Sequence, residues 1–213
     1  MEIKAVIFDL DGVIVTTDEC HYLGWQRMAD EEGIYFDREI NDRLRGVSRM
    51  ESLEIILERA EKEYSEAEKI AMAERKNGYY REFIKELTPN DILPGVMDNL
   101  DELKANNIKV AIGSSSKNTP VILKNIGLDG YFDAVSDGNN ISNSKPDPEV
   151  FLKAAEMLGI DPVNCMIVED ADSGVVAGKR AGMLTLSVNG AAGADYSFEN
   201  LKNDKIMSII SNL

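Results

Sequence analysis

From Asn107 onward, short apolar runs rich in β-branched residues alternate with helical patterns, and this alternation limits the fold more than any other feature of the chain. The runs are IKVAIGS, AVSD, CMIVED and LTLSV, and AVIF near the N-terminus is strand-like in the same way. Such a series reads as βαβ units, whose crossovers are right-handed and whose sheet is mostly parallel. The helices between the runs carry their own punctuation. Val121, Leu123 and Ile126 lead to Gly127 as a stop. Asp147-Pro148 reads as N-cap and first helical residue ahead of Val150, Phe151, Ala154, Ala155 and Leu158, and Gly159 closes that helix.

The stretch from Asp18 to Leu87 holds helical periodicity and almost nothing strand-like. Leu53, Ile56, Leu57, Ala60 and Tyr64 recur at helical spacing, and Ser65 with Glu68 makes a capping box that opens the next helix. An all-helical insert behind the first strand leaves the sheet at its carboxyl edge, where open α/β sheets bind ligands, so it suits a lid. Thr16-Thr17 and Leu87-Thr88-Pro89 are its candidate hinges. The expected architecture is α/β: a Rossmann-like, mostly parallel sheet core built from residues 1–16 and 88–213, with an inserted all-helical cap domain at 17–87.

The first strand ends in acid, KAVIFDLDG, with Asp9 and Asp11 two residues apart. Like charges so close raise each other's pKa and destabilise the fold unless a cation or positive side chains lie between them. A parallel sheet gathers the carboxyl ends of its strands at one edge. There the next strand delivers Ser114, Ser115 and Ser116 with Lys117 and Asn118, a later loop delivers Lys145, and CMIVED ends in Glu169 and Asp170. All-oxygen ligation by hard carboxylates suits Mg²⁺, which would neutralise the cluster and polarise a phosphoryl oxygen. The hydroxyls after Ser114, with the N–H groups of the helix start behind them, make an anion site. A carboxylate can attack phosphorus to form an aspartyl phosphate, and a second one two residues on can act as acid and base.

Composition removes other classes. A net charge of −15 repels phosphate backbones and anionic lipid, so neither nucleic acid nor a membrane is expected as a partner. There is no apolar run of membrane-spanning length and no leader-like N-terminal pattern, so a cytoplasmic protein, acting as a monomer, is expected. Cys20 and Cys165 are too few for a disulfide scaffold or a thiolate metal site.

The order DxD, Ser, Lys-Pro, Glu-Asp resembles the haloacid dehalogenase superfamily of phosphoryl-transfer enzymes along the whole chain. The stretches ECHYLGW, LRGVSRMESL, ERKNGYY and SSSKN look like the β-phosphoglucomutase family within it. The resemblance implies Asp9 as nucleophile, Asp11 as general acid and base, and Ser114 and Lys145 as holders of the transferring phosphoryl group. It implies Mg²⁺ on Asp9, Glu169, Asp170 and the Asp11 carbonyl. In the cap, His21 and Trp25 lie four apart on one helix face, which suits either a shared ligand or a helix core. Arg49, a bidentate donor beside small residues, fits a second phosphate, though an Arg on a helical insert also suits a solvated face. Lys76-Asn77 likewise suits a solvated face; the resemblance implies contact with the sugar and the lid network instead. It further implies sugar contacts at Leu44, Gly46, Val47 and Ser52, and places Ser115 in the substrate site and Ser116, Lys117 and Asn118 with Arg49 on the second phosphate. Ala171 stands where many superfamily members carry Ser, and SDGNNISNS before Lys145 is more polar than the usual loop. Beyond Val188, NGAAGADYSFENL is tied to no chemistry.

The function this implies is a Mg²⁺-dependent phosphomutase interconverting β-glucose 1-phosphate and glucose 6-phosphate through an aspartyl-phosphate enzyme and a sugar bisphosphate, with sugar phosphates as its small-molecule partners. A sugar-phosphate phosphatase of the same superfamily is the alternative. A non-catalytic sugar-phosphate sensor, the rival from another class, has no use for Asp9 and Asp11.

Overall fold

The computed structural model describes residues 2–44 and 47–213. The chain divides into two compact units, Met1–Thr16 with Thr88–Leu213, and Thr17–Leu87. The first unit opens with β1 (Ala5–Phe8), every residue of which is buried.

Within the second unit the elements are α1 (Asp18–Glu32), α2 (Arg38–Asp42), α3 (Arg49–Leu57) and α4 (Glu66–Phe83). Gly33, with φ of 68°, ends α1 in the left-handed conformation that glycine adopts without a Cβ penalty. Ser65 and Glu68 form the capping box read from the sequence, and Ser48 with Glu51 forms a second one at the start of α3. The 53–64 periodicity outruns its helix: α3 stops at Leu57, because the chain must turn before Ser65 caps α4. Leu57, Ala60 and Tyr64 nonetheless pack against a core of Trp25, Met28, Phe36, Leu53, Ile56 and Met72. Apolar spacing reported burial there, and burial continued past the hydrogen-bonded ladder. Helix α1 meets α4 at Gly24, where a Cβ would lie 3.3 Å from Lys76 Cε and 3.4 Å from the Lys76 carbonyl oxygen and the Tyr80 nitrogen, close to ordinary contact.

The first unit continues with α5 (Val96–Ala105), β2 (Lys109–Gly113), α6 (Thr119–Asn125), β3 (Ala134–Ser136), α7 (Glu149–Leu158), β4 (Cys165–Glu169), α8 (Asp172–Arg180), β5 (Leu184–Ser187), β6 (Tyr196–Ser197) and α9 (Ile206–Ile210). The sheet order is β3-β2-β1-β4-β5-β6, and all five pairings are parallel. Alternation along the strands sends Ala5, Ile7, Ala111, Cys165 and Ile167 to a core shared with Val150, Phe151 and Ala154 of α7 and Ala177 of α8. Val6, Phe8, Val110, Ile112, Met166 and Val168 point the other way and are equally buried. A strand covered on both faces reads as a continuous apolar run, which is why these strands were visible in the sequence. Strand β6 is exposed at both residues and was not.

Helix α7 departs by one residue from its sequence reading. Pro148 is the N-cap, and Asp147 Oδ1 accepts from the Glu149 N–H at 3.0 Å, so Asp147 caps from one position further out. Gly159 closes α7 with φ of 66°.

Candidate active site

Asp9 leaves β1 with its N–H donated to the Val168 carbonyl at 2.9 Å, which continues the β1–β4 ladder by one residue. Beyond it the chain turns at once: Gly12 has φ of 83° and its N–H reaches the Val15 carbonyl at 2.8 Å. A Cβ on Gly12 would lie 2.0 Å from Asp170 Oδ2, so the glycine gives both the left-handed turn and the space the Asp170 carboxylate fills. On the adjacent strand, Glu169 ends β4 and folds its side chain back over the start of α8. Its Oε2 accepts from the N–H groups of Asp170 and Ala171 at 3.0 and 3.1 Å. Gly174 makes this possible, since a Cβ there would stand 1.8 Å from Glu169 Oε1.

Asp9, Glu169 and Asp170 each bring one carboxylate oxygen within 4.8 Å of the others, a spacing that can hold a metal ion. The Asp11 carboxylate falls outside this trio. Lys145 reaches in from the loop before α7, donating to Asp9 Oδ1 at 2.5 Å and to Glu169 Oε1, with its side chain 9% exposed. Burial alone would lower the Lys145 pKa, but the charges of Asp9 and Glu169 outweigh it and hold the ammonium above its ordinary range. Burial also raises the Glu169 pKa, with Lys145 opposing. Asp170 is pushed up to about 8, by burial first and then by the charges of Asp9, Glu169 and Asp11. Three carboxylates thus share one ammonium, an excess of acidic groups that a divalent cation is suited to neutralise.

Ser114 continues β2, buried, with its N–H on the Ser136 carbonyl at 3.0 Å. The turn behind it differs from the sequence reading: α6 begins only at Thr119, and two amides of the turn are taken up locally. Ser114 Oγ accepts from the Ser116 N–H and Ser116 Oγ from the Asn118 N–H, both at 3.2 Å. Ser115 Oγ accepts the Lys145 N–H at 3.3 Å, tying this turn to the lysine loop. Lys117 offers its carbonyl to Asn139 Nδ2 at 3.0 Å, and Asn118 is buried.

The helical unit gathers a second group of candidates. Lys76, 2% exposed, points its ammonium at His21 Nδ1 at 2.8 Å and stands over the rings of Trp25 and Tyr80 at 4.6 and 5.0 Å. Tyr80 packs on the His21 ring at 4.1 Å and donates to Thr17 Oγ1 at 3.2 Å. Burial first, then the Lys76 and Arg49 charges, lower the His21 pKa well below its ordinary 6.5, so the ring is neutral and Nδ1 accepts from Lys76. Arg49, first residue of α3, donates to Asn77 Oδ1 at 3.0 Å and pairs with Glu74 at 3.6 Å. Ser52 is buried, Leu44 and Trp25 belong to the apolar core of this unit, and Val47 is exposed. Gly46 lies outside the described residues. Tyr80 was missed in the sequence, although its place four residues after Lys76 on α4 puts the two on one helix face. Gly12, Gly174 and Glu149 were also missed; only the fold brings their partners near.

Among the described residues no helix is long and apolar enough to cross a membrane. A family model described as haloacid dehalogenase-like hydrolase matches residues 3–182. The chain is 48% identical over 187 residues to a β-phosphoglucomutase of Bacillus subtilis, covering 87% of this chain and 83% of the relative. It is 34% identical to a phosphorylated carbohydrates phosphatase of Thermotoga maritima, covering 84% of this chain and 82% of the relative. The crystal structure of a β-phosphoglucomutase from Clostridium difficile superposes with a TM-score of 0.88 at 42% identity, covering 98% of this chain and 96% of that one.

Proposed function

This chain belongs to the haloacid dehalogenase-like hydrolase family, and we propose that within it the protein is a phosphomutase that interconverts β-glucose 1-phosphate and glucose 6-phosphate through a sugar bisphosphate. One observation carries phosphoryl transfer: the carboxylates of Asp9, Glu169 and Asp170 converge where adjacent strands end, with Lys145 as their buried cation. The likeness to β-phosphoglucomutases supports the mutase within that class. In this reading residues 1–16 and 88–213 form the phosphoryl-transfer core and 17–87 its cap.

In the working form Asp9 carries the phosphoryl group: a hydroxyl of the sugar monophosphate attacks that phosphorus, the Asp9 acyl phosphate P–O bond breaks and Asp11 takes the hydroxyl proton, giving the bisphosphate. With the intermediate turned round, an Asp9 carboxylate oxygen attacks the other phosphorus, the ester P–O bond breaks and Asp11 returns its proton to the departing sugar oxygen, so phosphoenzyme and proton are both restored. Ser114 and Lys145 hold the transferring group, with Ser115 beside it. Asp9, Glu169, Asp170 and the Asp11 carbonyl would hold Mg²⁺, whose charge neutralises the cluster and polarises a phosphoryl oxygen. Its fit rests on the donors: three hard carboxylate groups within 4.8 Å of one another, with Asp170 pushed up to about 8 by burial and then by the charges of its acidic neighbours. Arg49, Ser116, Lys117 and Asn118 are assigned to the non-reacting phosphate, and His21, Trp25, Leu44, Gly46, Val47, Ser52, Lys76 and Asn77 to the sugar and the network around it.

A phosphatase is the second reading, favoured by the similarity to the carbohydrate phosphatase. A coupled assay that follows glucose 6-phosphate formation and free phosphate from β-glucose 1-phosphate separates the two. Isomer formation well above phosphate release is expected, and phosphate release alone would overturn the mutase. Asp9→Asn should abolish both, because an amide is a far poorer nucleophile; retained turnover would remove Asp9 from its role.

A further inference from the structure

Lys145 must carry its ammonium to two carboxylates, yet it stands on a loop, and a lysine side chain has four torsions of its own to fix. Its backbone is bracketed on both sides. Ahead of it, Glu149 at the start of α7 accepts the N–H groups of Ser142 and Asn143 at 2.8 and 2.7 Å, and Asn143 Nδ2 at 3.0 Å. Behind it, Arg180 at the end of α8 donates to the Pro146 carbonyl at 2.9 Å. Helices α7 and α8 share one buried core, so a rigid layer supplies both anchors. This also accounts for the polar run before Lys145. Asp137 Oδ1 accepts from the Asn139 N–H at 2.7 Å, and Asn140 Oδ1 accepts from the Asp137 N–H at 3.1 Å. The run folds on itself and hands residues 142–143 to Glu149.

We propose that Glu149 is a positioning residue: by closing the segment 142–149 onto the first turn of α7, it aims Lys145 at Asp9 and Glu169. The inference deepens the proposed function and rests on it only for the consequence in turnover, since the aim of Lys145 can be measured without substrate. Carboxylate acceptance of two backbone N–H groups is stronger than a neutral bond would be, and one acidic side chain does here what a longer, less polar loop would leave loose.

The test is the acylation rate of each lysine by a water-soluble N-hydroxysuccinimide ester, read by peptide mass spectrometry, with exposed Lys124 as internal reference. At 9% exposure the Lys145 side chain is shielded from the reagent. Glu149→Ala should raise its rate relative to Lys124 by about tenfold, and Glu149→Gln, which keeps one acceptor oxygen, by less. In the same proteins kcat for a small phosphate ester should fall by about tenfold with KM changed by less than about twofold. An unchanged Lys145 rate in folded Glu149→Ala overturns the proposal. A raised rate with unchanged kcat supports the positioning and counts against Lys145 in phosphoryl transfer. Should Glu149→Ala be insoluble, Glu149→Gln decides alone: a Lys145 rate at the wild-type level overturns the role.

Discussion

Gly174 sits inside α8, where alanine ordinarily stabilises by about 1 kcal/mol over glycine. Here the sign should reverse. The added methyl would stand 1.8, 2.0 and 2.6 Å from Oε1, Cδ and Cγ of Glu169, a side chain 1% exposed and fixed by Lys145 and by two backbone N–H groups. Glu169 cannot turn away without leaving Lys145, and breaking a buried ion pair costs about 3–5 kcal/mol. Offset by the helix gain, the net loss for Gly174→Ala is about 2–4 kcal/mol, a fall of about 4–16 °C in Tm for a chain of this size. Gly78 is the control. It too lies inside a helix, α4, but nothing stands within 4 Å of where its Cβ would be. Gly78→Ala should therefore raise Tm by about 2–4 °C. In a Glu169→Ala background the obstacle is gone, and adding Gly174→Ala should stabilise by about 1 kcal/mol, a non-additivity that urea titrations of the four proteins will read. Gly174→Ala with the stability of wild type or better would mean that Glu169 is not held over α8.

His21 is the chain's one histidine, and its folded pKa lies well below 6.5. The unfolded chain therefore takes up a proton below about pH 6.5 that the folded protein refuses, so stability is fully present above that pH and declines as pH falls, by up to about 1.4 kcal/mol per unit. Asp170 and Glu169, raised in the folded protein, slope the opposite way, so the readout is the difference between wild type and His21→Gln, which keeps an acceptor for Lys76 and leaves the acid cluster untouched. In urea unfolding at pH 7, 6 and 5 that difference should follow this slope, and equal slopes would refute the buried neutral ring. Exhaustive chelation should stop turnover and lower Tm, and Mg²⁺ should restore both, because emptying the acid cluster leaves like charges face to face; full activity after chelation would reject the metal. Arg49→Ala should cost about 2–4 kcal/mol in kcat/KM for the mutase reaction, roughly thirty- to a thousand-fold, while hydrolysis of a small phosphate ester changes little. Equal losses in the two assays would make Arg49 a support of the cap, where it already holds Asn77.

What the sequence disclosed and what it withheld follow from the range of the interactions. Strands β1, β2, β4 and β5 were legible because covering on both faces demands unbroken apolar runs, and the acids at their ends because a parallel sheet assigns those ends to one edge. The Ser65–Glu68 box is a local bond that spacing alone discloses, whereas Ser48–Glu51 has the same spacing but lies around Arg49, a residue whose charge points to phosphate before its neighbours point to a cap. The two-residue strand β6 has no buried face and left no pattern. Ala60 and Tyr64 kept helical spacing after their helix had ended, since apolar periodicity records packing and not hydrogen bonding. Gly12 looks like an ordinary turn residue until Asp170 arrives beside it from far along the chain, and Gly174 like an ordinary helix residue although Glu169, five residues before it, folds back over it. The Glu149 staple was hidden for the same reason at shorter range, as a loop must fold before its free amides face a carboxylate.

The position of β1 between β2 and β4 has a consequence in time. Asp9 is made early, but Lys145, its counter-charge, lies 136 residues further along, and at ordinary elongation rates the wait is roughly 7–30 s. Until then the nascent chain carries a pair of acids with no cation and half of the central strand's neighbours missing, so nothing holds a metal there. A ribosome-bound chain stalled before Lys145 has emerged should be indifferent to Mg²⁺, and one stalled after β5 should become protease-resistant in its presence. On the proposed function, divalent cation would then act on the last step of folding, once β4 has brought Glu169 and Asp170 beside Asp9.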